Sequence, residues 1–278
     1  RPLTMFAFGL DWTIAGGQPW FFHLMNVLWH ALVSVLVVRL ALRWLPAVAA
    51  GAAGVAFAVH PVHVETVANV AGRSELMCGA ALLGVALVAS QATLRVRYQL
   101  LFVTLLSFAA LSAKETGIVA PVVAAGAAWV QWRDRPRALR LAFWAGMGVL
   151  PLLVARVLVL GSLAGEQPHI AFGSLPWGGG LQLALTTLPR TLALMLVPQQ
   201  PIYEYSPTLA TLAHPSLPMM VTGLLVVLGG AAVVVTVVRR PSWPAFALLF
   251  AAAALAPVSN LFLHAGIVLA ERTLYSPS

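Results

Sequence analysis

The chain of 278 residues is 60% hydrophobic and only 9% charged, with a mean hydropathy of +0.91. This composition excludes a soluble globular domain, whose surface would lack polar cover, and it is typical of a polytopic all-α membrane protein. The net charge of +8 does not indicate nucleic-acid binding, because the basic residues lie in short loops between apolar runs, where they specify membrane topology. The single cysteine, Cys78, excludes an internal disulfide.

Apolar runs of membrane-spanning composition predict about eight spans in one transmembrane domain covering residues 1–278. The mixed segment from Arg1 to Pro19 is interpreted as the end of a loop or as an interfacial helix. The predicted spans are Trp20 to Trp44, Pro46 to Val59, Leu76 to Gln91, Tyr98 to Ala113, Gly117 to Trp132, Leu141 to Leu160, Leu217 to Val238 and Trp243 to Leu263.

Arginines at the span ends predict which loops face the cytoplasm. Placing Arg39 and Arg43 inside, and alternating sides, also places the basic loop from Arg133 to Arg140 inside. The apolar segment Leu181 to Val197 then has both ends on the outer side, so it cannot cross the bilayer. It is predicted to be a re-entrant or interfacial helix, which suits the proline and arginine within it.

The stretch from His60 to Glu75, H-P-V-H-V-E-T-V-A-N-V-A-G-R-S-E, places ionisable groups between two apolar runs. Such groups are costly at a membrane unless they face water, a partner or a ligand. We interpret the stretch as a charged cluster that binds an anionic or sugar-bearing ligand; the alternative is a solvated loop with one local ion pair. A metal site is less well supported, because two histidines and one glutamate do not define a coordination geometry.

Further candidate groups fall on the same predicted outer side. Lys114, the sole lysine, suits phosphate binding, although it could instead pair with Glu115 or extend to the membrane interface. Arg190 suits either headgroups or a lipid phosphate. The remaining outer candidates each have an interfacial alternative as well, and they are Tyr203, Glu204, Tyr205, Glu271 and Arg272.

On the first span, His23, Asn26 and His30 are spaced to share one helix face. That face is predicted to form a polar seam between helices. His30 is expected to be a packed histidine rather than a ligand.

Several runs of sequence, in order, resemble one family. They are R-P-L-T at Arg1, F-H-L-M-N-V-L-W-H-A-L at Phe22, the His60 stretch, A-K-E-T-G-I at Ala113, the Tyr203 loop, P-V-S-N-L at Pro257 and A-E-R-T-L-Y-S-P-S at Ala270. Together these runs are similar to the membrane part of the transmembrane-and-tetratricopeptide-containing (TMTC) O-mannosyltransferases.

The resemblance implies a GT-C-like helical bundle that acts as a polyprenyl-phosphate-sugar-dependent glycosyltransferase. Such enzymes move a sugar, commonly mannose, from a polyprenyl- or dolichyl-phosphate to a hydroxyl on the outer or lumenal side, with inversion. The family's acidic pair, and a first span, are expected before Arg1, so the catalytic base is not assigned here and Asp11 is not a match for it. Tetratricopeptide repeats are expected after Ser278. No cofactor is predicted, and a divalent metal is left open.

Roles follow from the resemblance together with the charges. The expected donor-phosphate ligands are Lys114, Arg190, Arg272 and Arg73. The residues expected to bind the sugar or the acceptor are His60, His63, Glu65, Glu75, Glu204, Tyr205 and Glu271.

The expected partners are a polyprenyl-phosphate sugar, a protein or glycan acceptor and the lipid bilayer. The alternatives are a transferase of the same fold acting on a cell-envelope glycan or lipid, and a transporter or channel. The richness in alanine, valine, leucine and arginine favours a bacterial inner membrane with the site facing the periplasm.

Overall fold

The computed structural model of the protein describes residues 1–161, 179–196, 217–261 and 269–278. In these ranges the regular structure is helical, without strands, which confirms the predicted fold class. The α-helices are α1 (Pro2–Ala15), α2 (Pro19–Ala41), α3 (Ala47–Ala58), α4 (Val64–Ala68), α5 (Arg73–Ala89), α6 (Val96–Ala113), α7 (Ala120–Trp132), α8 (Arg135–Leu160), α9 (Gly179–Leu196), α10 (Leu217–Arg239) and α11 (Trp243–Leu255). Short 3-10 turns are Pro61–His63, Val70–Gly72, Glu115–Val119, Ala256–Val258 and Glu271–Leu274.

Five helical segments in the described part are long and apolar enough to cross a membrane. A sixth is added if α3 and the following segment Pro61–Ala68, bent by 47° at their junction, form one broken span. The sequence predicted about eight, and the difference lies in short helices: the 13 residues of α7 extend only about 20 Å, less than the hydrocarbon core. The five are Pro19–Ala41, Val70–Ala89, Val96–Ala113, Arg135–Val159 and Leu217–Arg239.

The predicted re-entrant segment forms one continuous helix, α9, with Pro189 inside it. Its apolar part, Leu181–Leu196, is among the shorter apolar helices. That it does not cross the bilayer stays a prediction.

Helix α5 is the central helix of the described bundle. Its span is 78% buried within the protein, against 11–33% for the four other candidate spans. It packs against α2, α6 and α7. Its charged first turn therefore lies inside the bundle, and its ends need partners from neighbouring helices.

The C-terminal end of α5 leaves carbonyl groups that have no partner within the helix. The side-chain amide of Gln99 donates to the carbonyls of Val88, Ala89 and Gln91 at 2.9, 3.3 and 3.0 Å. The Trp132 indole donates to the Ala89 carbonyl at 3.3 Å, and a neighbouring arginine donates to the Ser90 carbonyl. These side chains come from three other elements and fix the position of this end.

The break after α3 has a local cause in the sequence. The residue before a proline is disfavoured in the helical conformation, and His60, before Pro61, is extended at φ −67° and ψ 124°. Carbonyl groups near the end of α3 that lack a helical partner accept hydrogen bonds from histidine side chains. His63 Nδ1 contacts the Phe57 carbonyl at 2.8 Å, and His30 Nε2 contacts the Ala58 carbonyl at 3.0 Å.

Two glycines allow turns to press directly against neighbouring backbone. A Cβ at Gly117 would lie 2.3 Å from the carbonyl carbon of Ala110 on α6. A Cβ at Gly72 would lie 2.0 Å from the Thr66 carbonyl oxygen. No larger residue fits at either place without moving backbone, so these glycines set where Lys114 and Glu75 are held.

Candidate functional site

Ionised side chains gather at the end of the bundle where α5 begins and where α6 and α8 end. We call this group the charged end. It comprises Arg1, Glu65, Arg73, Glu75, Lys114, Glu115, Arg156 and Arg272. At the opposite end of the bundle, Arg137 donates to Gln99 near the start of α6, at 2.8 Å.

Arg73 anchors three helices from within the protein. It is fully buried, its guanidinium forms an ion pair with Asp11 of α1, and its Nε donates to Asn26 of α2 at 2.6 Å. Its third nitrogen donates to the Phe22 carbonyl at 2.8 Å. A buried charge is tolerated when it is paired and hydrogen-bonded, as here. Expected as a phosphate ligand, Arg73 instead has every guanidinium nitrogen bound to α1 or α2, which makes it a support for the charged end.

Glu75 and Lys114 form a buried ion pair between α5 and the end of α6. Burial lowers the pKa of the Lys114 ammonium to about 7, and the positive charge of Arg1 acts in the same direction. The second carboxylate oxygen of Glu75, Oε2, is buried and has no hydrogen-bond partner among the described residues. The alternative that Lys114 pairs with Glu115 is wrong, because neighbouring residues point in different directions and the lysine reaches α5 instead.

Glu115 lies between two arginines. Arg1 Nε donates to its Oε2 at 3.0 Å, and Arg156 of α8 donates to its Oε1 at 3.3 Å. Burial on its own raises the pKa of the Glu115 carboxyl, but the charge and hydrogen bond of Arg1 and the hydrogen bond of Arg156 outweigh it and lower that pKa to about 2. The carboxylate is therefore ionised at neutral pH.

Glu65 joins the His60 stretch to residues 269–278. It accepts hydrogen bonds from both the backbone N–H and the guanidinium of Arg272, at 2.8 and 2.9 Å. The Thr66 hydroxyl donates to the Arg272 carbonyl at 3.3 Å. Glu271 beside it is buried. Arg272 and Glu65, which the sequence assigned to different roles, thus form one unit, in which the arginine side chain stays 31% exposed.

A groove of about 400 Å³ opens between α2 and the break after α3. Its walls are apolar apart from four imidazoles. The residues lining it are His23, Val27, His30, Ala58, Val59, His60, His63, Val64, Val67 and Ala68. A groove of this kind offers weakly basic hydrogen-bonding groups in an apolar setting, which suits hydroxyl-bearing ligands.

Two of these histidines are fixed by hydrogen bonds. His30 contacts the Tyr275 hydroxyl through Nδ1 at 2.8 Å and a backbone carbonyl through Nε2, so it is a packed histidine, as expected. Because His63 Nδ1 faces the Phe57 carbonyl, it carries the proton there, and Nε2 accepts from the Ser278 hydroxyl at 2.7 Å. Burial raises the pKa of the Tyr275 phenol, which keeps it a hydrogen-bond donor.

The other predicted site residues are placed as follows. Arg190 lies on α9. Leu183 and Leu194 of this helix belong to one apolar cluster with Val62, Leu269 and Leu274. Glu204 and Tyr205 lie outside the described residues. Within the described part of the chain, no three histidine, cysteine, aspartate or glutamate side chains are grouped to hold a metal ion.

Sequence reasoning missed several members of this site. Arg1, Asp11 and Arg156 take part in ion pairs, and Tyr275 and Ser278 contact the histidines. One signal was available for Arg156, an isolated arginine inside an apolar span, which is costly unless paired.

Comparison with known proteins finds similarity to protein O-mannosyl-transferases. The chain is 50% identical over 78 residues to Tmtc2 of Drosophila melanogaster, covering 27% of this chain and 8% of that protein. It is 39% identical over 77 residues to human TMTC3, covering 28% and 8%. It is 38% identical over 122 residues to Drosophila Tmtc1, covering 43% and 14%.

In each of these three relatives, the matched stretch is at most 14% of the relative's length. No family model matches the chain. No solved structure matches it. The matches nevertheless confirm the resemblance predicted from the sequence: this polytopic helical membrane protein is TMTC-like, similar to the protein O-mannosyl-transferases over 27–43% of its length.

Proposed function

We propose that the protein is a membrane glycosyltransferase that moves a sugar, mannose, from a polyprenyl- or dolichyl-phosphate to a protein hydroxyl. The observation that carries the proposal is the charged end, a set of cations held at one bundle end beside a groove that can accept hydroxyl groups. The names of the similar proteins support the same class of reaction.

The chemistry requires positive charge near the leaving phosphate. When the sugar–phosphate bond breaks, negative charge grows on the phosphate oxygens, and a positioned cation stabilises the transition state more than the bound donor. The Arg272 side chain is 31% exposed, whereas the Lys114 side chain is 9% exposed and lies beneath the surface, paired with Glu75. Arg190 joins them in the proposal, while Arg73 holds the helices that carry them.

The groove and the adjoining carboxylates are proposed to bind the sugar or the acceptor. His60 and His63 line the groove, Glu65 lies on α4, which also lines it, and Glu75 and Glu271 lie on elements that contact α4. Glu204 and Tyr205 are retained from the sequence alone. Among the described carboxylates, Glu65, Glu75 and Glu115 are each paired with a cation, so we assign the general base to none of these three.

We propose that the charged end faces the non-cytoplasmic side. The motive is the concentration of arginines at the opposite end of the bundle, which is the usual cytoplasmic pattern. The similar proteins named here are from a fly and a human, so they lend no support to the predicted bacterial inner membrane and periplasmic side.

The test measures sugar transfer from dolichyl-phosphate mannose to an acceptor protein by the purified full-length protein in lipid nanodiscs. Replacing Arg272, Lys114 or Arg190 by alanine should each lower turnover about a hundredfold, since losing one such donor costs about 3 kcal/mol of transition-state stabilisation. Arg97→Ala is the control, because Arg97 is exposed and contacts its neighbour Tyr98.

If the three variants transfer sugar within a few-fold of the parent, the phosphate is held elsewhere. If the parent transfers mannose to a glycan or lipid but to no protein, the same-fold alternative holds. If it transfers no sugar but proteoliposomes carry solute across the membrane, the protein is a transporter.

A further inference from the structure

Arg156 belongs to no expected group of ligands, yet it reaches the charged end. It lies near the C-terminal end of α8, inside the candidate span Arg135–Val159, and is followed by the exposed apolar residues Val157, Leu158 and Val159. An arginine at that boundary with lipid is costly unless it has a charged partner. Its partner is the Glu115 carboxylate, bound by one nitrogen at 3.3 Å.

The guanidinium of Arg156 is only partly used by this contact. Its Nε is buried and has no hydrogen-bond partner among the described residues. The arginine side chain as a whole is 30% exposed. A guanidinium presents donors in a planar fork that matches a phosphate or a carboxylate in two places, and here Glu115 is bound through one nitrogen.

Glu115 can leave its position without moving the backbone. Its side chain is 42% exposed, so the carboxylate has solvent beside it. The backbone of the Glu115–Val119 turn is held by Gly117 against α6. The carboxylate is therefore a tethered anion placed between Arg1 and Arg156, and it can swing out while the arginines stay.

We propose that Arg156 and Arg1 form a site for the phosphate of a membrane-anchored isoprenoid lipid, and that Glu115 occupies this site when the lipid is absent. This inference rests on the proposed function, since it concerns the lipid phosphate left after transfer. The phosphate left after transfer is a monoester, which carries more negative charge than a carboxylate and fills both arms of the guanidinium fork, so it displaces the Glu115 side chain. The returning carboxylate then helps the used lipid phosphate to leave.

The experiment measures binding of farnesyl phosphate to the full chain in phosphatidylcholine nanodiscs, with farnesol and inorganic phosphate as paired probes. Arg156→Gln should weaken farnesyl phosphate binding about tenfold or more, because a charged hydrogen-bond pair is lost. Glu115→Gln should tighten it by about threefold to tenfold, because the competing charge is removed. Farnesol binding should be unchanged in both variants.

Arg156→Lys keeps the positive charge but not the planar fork, so its affinity for farnesyl phosphate should lie between those of the parent and Arg156→Gln. Its melting temperature should equal that of the parent, which would exclude misfolding as the cause of weaker binding. If Glu115→Gln weakens binding as Arg156→Gln does, Glu115 only positions the arginines and the proposal fails. It also fails if inorganic phosphate binds as tightly as farnesyl phosphate, or if nanodiscs rich in phosphatidylglycerol abolish binding, since the site is then not selective for an isoprenoid phosphate.

The binding assay separates this inference from the proposed function. Farnesyl phosphate binding with the expected variant effects, without any sugar transfer, supports the site and overturns the transferase. Sugar transfer that is lost in Arg272→Ala, together with farnesyl phosphate binding that Arg156→Gln leaves unchanged, keeps the transferase and overturns this site.

Discussion

Glu65 and Arg272, 207 residues apart in the chain, are joined by two hydrogen bonds, one from the backbone N–H and one from the guanidinium of the arginine. The contact fastens residues 269–278 onto the short helix that follows the break in the third helix. Because Tyr275 and Ser278 of the same segment contact His30 and His63, the segment also closes the wall behind the histidine groove.

Glu65→Gln should loosen residues 269–278. An amide cannot accept two charge-assisted bonds in the same way, and a hydrogen bond to a charged group is worth about 1.5–3 kcal/mol, with the lower end expected because the arginine is partly exposed. Hydrogen exchange followed by mass spectrometry should show faster exchange in residues 269–278. Asp134→Asn, which alters the N-cap of α8, is the control and should leave that segment unchanged. Equal exchange in Glu65→Gln and the parent would show that the segment is held by other contacts.

Gly117→Ala should lower the melting temperature. The added Cβ would lie 2.3 Å from backbone atoms of α6, which cannot yield as a side-chain tip can, so the turn carrying Glu115 must shift. Gly146→Ala on α8 is a matched control, because a Cβ there meets nothing within 4 Å. That control should melt at the parent's temperature or slightly above it, since alanine is the better helix former. Equal melting temperatures for Gly117→Ala and Gly146→Ala would contradict the prediction.

Gln99→Leu should destabilise the protein by removing the amide that serves the last carbonyls of α5. Leaving buried carbonyls without donors costs about 1–3 kcal/mol each, although the neighbouring indole retains one of these contacts. Gln182→Leu, at an exposed position of α9, is the control. Thermal unfolding in detergent, monitored by the intrinsic tryptophan signal, should separate the two variants. A Gln99→Leu protein as stable as its control would mean that water or another group serves these carbonyls.

Acid should weaken the contact between Glu115 and its two arginines. The pKa of this carboxyl lies near 2 in the folded protein, below its ordinary value of 4.5, so its stabilising contribution is present above pH 4.5 and is lost as the pH falls towards 2. The melting temperature of the parent should therefore fall across that window. The melting temperature of Glu115→Gln should fall less, because the amide side chain takes up no proton in that pH range. A parallel fall in both proteins would show that other carboxyls dominate acid unfolding.

Sequence patterns were sufficient for the fold class and for the rough positions of the helices. Runs of apolar residues mark α2, α5, α6, α8 and α10, and the proline after His60 marks the break in the third helix. The number of membrane spans was harder to predict from the sequence. Helices such as α7 are apolar enough to be predicted as spans but too short to cross alone, and packing against neighbours decides where they lie.

The pairing of charges could not be read from the sequence, because ion pairs join residues far apart in the chain. Arginine is a residue type that binds phosphate, so the sequence favoured a ligand role for Arg73. Its partner is Asp11, 62 residues away on α1, and this pairing makes Arg73 a structural contact between helices. Lys114 stands beside Glu115 in the sequence but pairs with Glu75. The gathering of charges at one place was predictable from hydropathy, whereas the identity of each pair depends on tertiary structure.

The attachment of α5 at both ends has a mechanical consequence. Its first turn is tied by Arg73 and Glu75 and its last turn by Gln99 and Trp132, so it cannot slide along its axis without breaking contacts at both of its ends. A slip of one residue is about 1.5 Å, which is enough to break hydrogen bonds of ordinary length. Any opening and closing of the bundle must therefore come from the elements around α5, and not from a movement of α5 along its axis.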